Sequence, residues 1–159
     1  MSPGALHHVE LWVEDLERAR PGWGWLLGEL GYAPYQSWQG GVSWRLGPTY
    51  LVLEQSPDLS ADRHERTRPG LNHLAFHAGS RARVDLLAER APEHGWHLMF
   101  PDAHPYAGGP QHYAAYLEDA DGFEVELVAE VGSRDGDVAG HGGQVAELVR
   151  AERPDETAR

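Results

Sequence analysis

From Leu6 to Val13 (Leu-His-His-Val-Glu-Leu-Trp-Val) and from Leu71 to Ala78 (Leu-Asn-His-Leu-Ala-Phe-His-Ala) the chain alternates with a period of two, the mark of a half-buried strand. The two segments superpose at an offset of 65, with a histidine third in each. After each the period lengthens to that of a helix. Asp15 precedes Leu16, Ala19, Trp23, Leu26, Leu27 and Leu30, and Ser80 precedes Val84, Leu87, Ala88 and Ala91. Asp and Ser in those places predict helix caps, because a short side-chain oxygen accepts a backbone N–H that the first turn leaves free. Pro21-Gly22 predicts a break or kink in the first helix, Gly31 its stop, and Pro92 and Gly95 the end of the second.

Three short strands follow in each half, at 33–38, 42–46 and 49–55, then at 96–100, 112–117 and 123–129. Gly40-Gly41, Gly47-Pro48 and Asp121-Gly122 supply turns. The ends of the halves align at an offset of 72, which lays Glu54 over Glu126; the seven extra residues predict a longer loop at 104–110. A repeat of this kind decides architecture before any single motif does. The expected fold is α+β: two βαβββ modules, 6–55 and 71–131, joined by the polar segment 56–70 and forming a cupped mixed sheet around a metal cleft, with the helices outside. Residues 132–159, rich in Gly, Asp, Glu and Arg, predict a mobile tail, with at most a brief helix at 144–152.

Residues two apart on a strand share a face. His8, Glu10 and Trp12 therefore oppose Val9, Leu11 and Val13, the apolar set that packs under the helix. His73, Ala75 and His77 oppose Leu74 and Phe76, and Glu54 and Glu126 close strands whose other face is apolar. A pseudo-twofold between modules would bring His8, His73, Glu126 and Glu54 into one cleft. Imidazole and carboxylate are good ligands for a divalent ion, and four such groups crowded without one would be hard to solvate. A lone histidine or glutamate on a strand is more often plain polar surface; His8 and His73 rise above that because the repeat superposes them. Glu54 either joins as a fourth ligand or lines the cleft beside the others. His7 is the competing register for His8, although its parity points toward the helix.

Composition narrows the chemistry. The chain has 159 residues, no cysteine and a formal charge of −12. Absence of cysteine removes disulfides and thiolate chemistry, leaving Zn, Ni, Co, Mn or Fe on nitrogen and oxygen donors. The acidic balance repels nucleic acid. No apolar run approaches the ~20 residues of a membrane helix, and no secretory leader is visible, so a cytoplasmic protein is expected.

Four segments, His8-Val-Glu-Leu-Trp-Val, Leu51-Val-Leu-Glu54, His73-Leu-Ala-Phe and Asp119-Ala-Asp-Gly-Phe-Glu-Val-Glu126-Leu, resemble the vicinal oxygen chelate superfamily. The last is similar to that family's Asp-Pro-Asp-Gly-x-x-x-Glu-Leu, with Ala120 in place of Pro; Trp23-Gly-Trp25 stands where the family has Phe-Tyr. The resemblance covers residues 6 to 131. It implies a metal-dependent enzyme on a small oxygenated substrate, and a homodimer. With Glu54 as fourth ligand the chain resembles glyoxalase I, a lyase or isomerase in which Glu54 or Glu126 moves a proton while the metal polarises an enediolate. With three ligands it resembles extradiol dioxygenases or fosfomycin transferases, and without metal a drug- or metabolite-binding resistance protein. Trp12, Trp44 and Tyr50 are candidates for a cleft wall and Tyr106, His112 and Tyr113 for a lid, with aromatic packing in a small core the equal alternative; His77, on the face of His73, is a candidate second proton carrier, a role that fewer such histidines fill than plain polar surface.

Overall fold

The computed structural model describes residues 3–130. The expected C-terminal tail and its brief helix lie outside the described residues. The strands are β1 (His8–Trp12), β2 (Ala33–Trp38), β3 (Gly41–Leu46), β4 (Thr49–Glu54), β5 (His73–Gly79), β6 (His97–Leu98), β7 (Ala114–Glu118) and β8 (Glu124–Ala129); the helices are α1 (Leu16–Glu29) and α2 (Arg81–Arg90). They form two four-stranded mixed sheets, ordered β1-β4-β3-β2 and β5-β8-β7-β6. In each, an edge strand runs parallel to its neighbour and the other pairings are antiparallel. This is the expected pair of βαβββ modules. No described helix is long and apolar enough to cross a membrane.

Local chemistry accounts for the helices. Asp15 accepts the Arg18 N–H at 3.0 Å and Ser80 the Arg83 N–H at 3.2 Å, so both caps fall where the sequence places them. Gly31, with φ of 88°, follows the C-terminus of α1 in the left-handed conformation that only glycine adopts readily. The expected break at Pro21-Gly22 does not occur: α1 runs unbroken through both residues. Proline removes one backbone donor, and the packing of that turn on the Ala91–His94 3₁₀ helix outweighs the loss. The Trp96 indole N–H donates to the Gly22 carbonyl at 3.1 Å, and a Cβ at Gly22 would stand 2.8 Å from the His94 carbonyl oxygen. Gly22 is thus a point of close approach, not a breaker.

Leu11, Val13, Leu26, Leu27 and Leu53 are buried in the first module and Val84, Leu87, Val125 and Leu127 in the second, within one continuous apolar core. Each such side chain contributes about 1.5–3 kcal/mol on burial. Trp44, expected in a cleft wall, is also core, 5% exposed, with its ring against Gly24. The strand expected at 96–100 shrinks to two residues, because Phe100 (φ 53°) turns the chain away after the Met99 N–H bonds the Tyr116 carbonyl.

The Asp119-Ala-Asp-Gly turn ties the modules together. One Asp119 oxygen accepts the Asp121 and Phe123 N–H groups, both at 2.9 Å, and the other accepts the Trp23 indole N–H of α1 at 2.9 Å. Asp121 pairs with Arg18 of α1. The linker straps the same turn, with the His64 N–H on the Asp121 carbonyl and the His64 ring stacked on Phe123 at 4.4 Å. At the other end of α1, Glu29 receives Arg83 at 2.6 Å and Arg90 at 2.8 Å from α2.

Candidate functional site

The register of the parallel pairs determines which candidate residues meet. His73 pairs with Glu124 and Ala75 with Glu126, which puts Glu126 one pleat along from His73 on the same face. The His73 Nε2 lies 3.3 Å from one Glu126 oxygen, and Nε2 of His112 hydrogen-bonds the other. The Tyr116 hydroxyl also donates to Glu126 from the neighbouring position on β7. Asn72 Oδ1 lies 2.8 Å from His73 Nδ1 and orients the ring from behind.

Glu126 is 6% exposed. Burial alone would push its pKa up; the hydrogen bonds from Tyr116 and His112, with the charges of His112 and His73, outweigh that and hold it below the ordinary glutamate value. Tyr116 responds oppositely: burial first, then the hydrogen bond and charge of Glu126, raise its hydroxyl well above the usual value. The 104–110 loop lies over this cluster. A Cβ at Gly108 would stand 2.6 Å from both the His112 ring and the Tyr116 hydroxyl.

His112, which the sequence suggests only as part of a lid, therefore touches the candidate carboxylate itself. It has no counterpart in the first half, so the repeat gave no signal for it. Tyr113 turns away and donates to Asp85 of α2 at 2.8 Å. Tyr106 packs edge-on against Tyr113, and His77 lies on the open face of β5.

In the first sheet His8 pairs with Tyr50, Glu10 with Val52 and Trp12 with Glu54. Superposing His8 on His73 thus lays Tyr50 on Glu124, an offset of 74. The offset of 72 that equated Glu54 with Glu126 is corrected: Val52 holds the place of Glu126, and Glu54 lies one pleat further, opposite Trp12. The two extra residues fall within the second half's longer loops, where an ungapped comparison cannot locate them. His8 is exposed, contacts His7 and stacks on Tyr50 at 4.8 Å. Neither His8 nor Glu54 has a hydrogen bond or ion pair to the His73–Glu126 cluster. Among the described residues, no three His, Cys, Asp or Glu side chains of one chain converge to hold a metal ion. A cavity of about 490 Å³ runs between β1 and the 59–71 segment, lined by Trp12, His64 and Phe123, and not over Glu126.

The sequence pattern of the Glyoxalase/Bleomycin resistance protein/Dioxygenase superfamily matches residues 7–116. The uncharacterized protein YqjT of Bacillus subtilis is 50% identical over 126 residues, covering 78% of this chain and 98% of YqjT. A crystal structure of a candidate glyoxalase from Bacillus halodurans is 50% identical, with a TM-score of 0.77, covering 80% of this chain and 97% of that one. A glyoxalase/bleomycin resistance protein from Albidiferax ferrireducens shares the fold at 22% identity, with a TM-score of 0.64 and coverage of 79% and 98%. With two βαβββ modules, an Asp-Ala-Asp-Gly turn and this similarity along most of its length, the chain belongs to the Glyoxalase/Bleomycin resistance protein/Dioxygenase superfamily.

Proposed function

We propose that the protein is a metal-dependent enzyme of the glyoxalase type, a lyase or isomerase acting on a small oxygenated substrate, and that it works as a cytoplasmic homodimer. The observation that carries this reading is the His73–Glu126 pair, 3.3 Å apart on one sheet face, with His8 at the repeat-equivalent position of the other sheet. Two imidazoles and a carboxylate suit a divalent ion of the Zn, Ni, Co, Mn or Fe group. Among the described residues, one chain by itself does not gather three such donors. In our reading His8 of one copy faces His73 and Glu126 of another, so the dimer completes the set. Glu54 stands outside it, because Val52 takes the register position that would supply a fourth donor.

His8, His73 and Glu126 would hold such an ion, which would supply Lewis-acid polarisation of substrate oxygens. The chain's own contribution is proton handling. Tyr116 and His112 keep Glu126 in its carboxylate form, and His112, seated on the Glu126 oxygen that His73 does not face and partly open to solvent, exchanges a proton with substrate.

A second reading follows from the count of three donors, which also matches the triad of extradiol dioxygenases with positions open for substrate and dioxygen. A metal-free binding module is the third.

Untagged protein tests all three by elemental analysis and sedimentation. We expect one ion per chain in a dimer, lost in His8→Ala, His73→Ala and Glu126→Gln with circular dichroism unchanged. Oxygen uptake by the Fe(II)-loaded protein would point to the dioxygenase, and a folded dimer that holds no metal would leave the binding module.

A further inference from the structure

The face of the first sheet carries a feature that proton transfer and metal binding do not use. Trp12, Glu54, Gly41 and Trp38 are successive cross-strand partners, from β1 through β4 and β3 to β2, and so project on one face in a single row. Both indoles are open to solvent, Trp12 at 41% and Trp38 at 43% exposure. The Trp38 ring folds back over Gly41, where a Cβ would stand 2.1 Å from it, so glycine is required for the indole to lie there. Two strand spacings, about 10 Å, then separate the row's two aromatic walls, with the Glu54 carboxylate rising between them.

Glu54 is half-buried, and while its backbone carbonyl accepts the Val13 N–H at 2.9 Å, its carboxylate has no hydrogen-bond or ion-pair partner among the described residues. Glu10 sits one pleat away and accepts the Trp12 indole N–H at 2.8 Å, which draws that ring alongside a second carboxylate. Arg45, the basic side chain of the same face, lies at the opposite end, over Tyr35 at 5.0 Å. Two electron-rich rings flanking an unpaired carboxylate, in a chain of net charge −12, match one ligand chemistry.

We propose that the Trp12–Glu54–Trp38 row is a binding subsite for an organic cation, a substituted ammonium group held between the indoles above Glu54. It lies four residues along β1 from His8, about 13 Å, and would take the cationic end of a ligand that extends along the sheet. The proposal rests on this face alone and does not depend on a metal.

The test is a titration of the full-length, chelator-treated protein with choline and with its uncharged isostere 3,3-dimethyl-1-butanol, followed by calorimetry and by the tryptophan indole N–H resonances. Choline is expected to bind saturably, to shift exposed indole resonances, and to bind at least tenfold more tightly than the alcohol. Trp38→Leu should weaken it roughly five- to thirtyfold, the span of a partly desolvated cation–π contact, and Glu54→Gln, which removes the charge facing the cation, by about as much. Glu54→Gln removes a charge and leaves the fold intact, so it decides the matter if Trp38→Leu is unstable. Equal binding of the two probes, no saturable binding, or unchanged affinity in Glu54→Gln overturns the proposal. Dissociation of a dimer by Trp38→Leu in a protein that ignores choline would instead make this face an assembly surface. Metal content measured on the same preparations before chelation keeps this outcome separate from that of the metal site.

Discussion

Replacing Asp119 by alanine should cost as much as truncating a large core side chain, because that carboxylate satisfies three buried donors on two modules at once. Its oxygens accept the Asp121 and Phe123 N–H groups and the Trp23 indole N–H, all at 2.9 Å, and the residue is 8% exposed. A buried donor left without a partner costs about 1–3 kcal/mol. Three orphaned donors would thus cost about 3–9 kcal/mol; water entering the turn and the release of a desolvated carboxylate bring our expectation to about 3–4 kcal/mol. At about 2–4 °C per kcal/mol for a chain of this size, the melting temperature should fall by about 10 °C. Asp119→Asn keeps the two backbone bonds but turns an amide N–H toward the Trp23 N–H, and should cost about 2 kcal/mol. Urea unfolding at neutral pH, with Trp23→Phe and the double variant completing a cycle, measures the coupling. A loss below about 1 kcal/mol in Asp119→Ala, or additive single and double variants, would refute the view that this turn staples the modules.

The pH dependence of the same comparison is also expected to have a definite sign. Burial raises the Asp119 pKa above its unfolded value, despite the opposing hydrogen bonds. The folded state therefore holds more protons between the two values, and its stability falls as pH rises through them; the advantage of the wild type over Asp119→Asn should narrow from about pH 4 upward, and a widening gap would contradict it. Gly122→Ala should lose about 2–4 kcal/mol in thermal unfolding, because φ is 86° and the new Cβ would stand 2.6 Å from the His64 carbonyl. Gly108→Ala should leave stability within about 1 kcal/mol, since the loop is at the surface, yet displace His112 and Tyr116 enough to lower metal occupancy in elemental analysis.

The two modules, both helix caps and the strand faces were legible along the chain, because these follow from short-range rules: periods of two and 3.6, Asp15 and Ser80 at caps, glycine at turns. The sequence also singled out His73 and Glu126, which lie one pleat apart on the two strands of a parallel pair. Three features depend on contacts between residues far apart in the chain. The pairing register moved Glu54 off the place of Glu126, because a gap of two residues between repeats changes which pleats align without altering either strand's own alternation. Packing kept α1 whole through Pro21-Gly22, since a neighbouring 3₁₀ helix and the Trp96 N–H compensate at that turn. And the loop that brings His112 onto Glu126 has no periodicity to read: its path is set by contacts with residues distant in sequence, and those contacts exist only once the second sheet has formed.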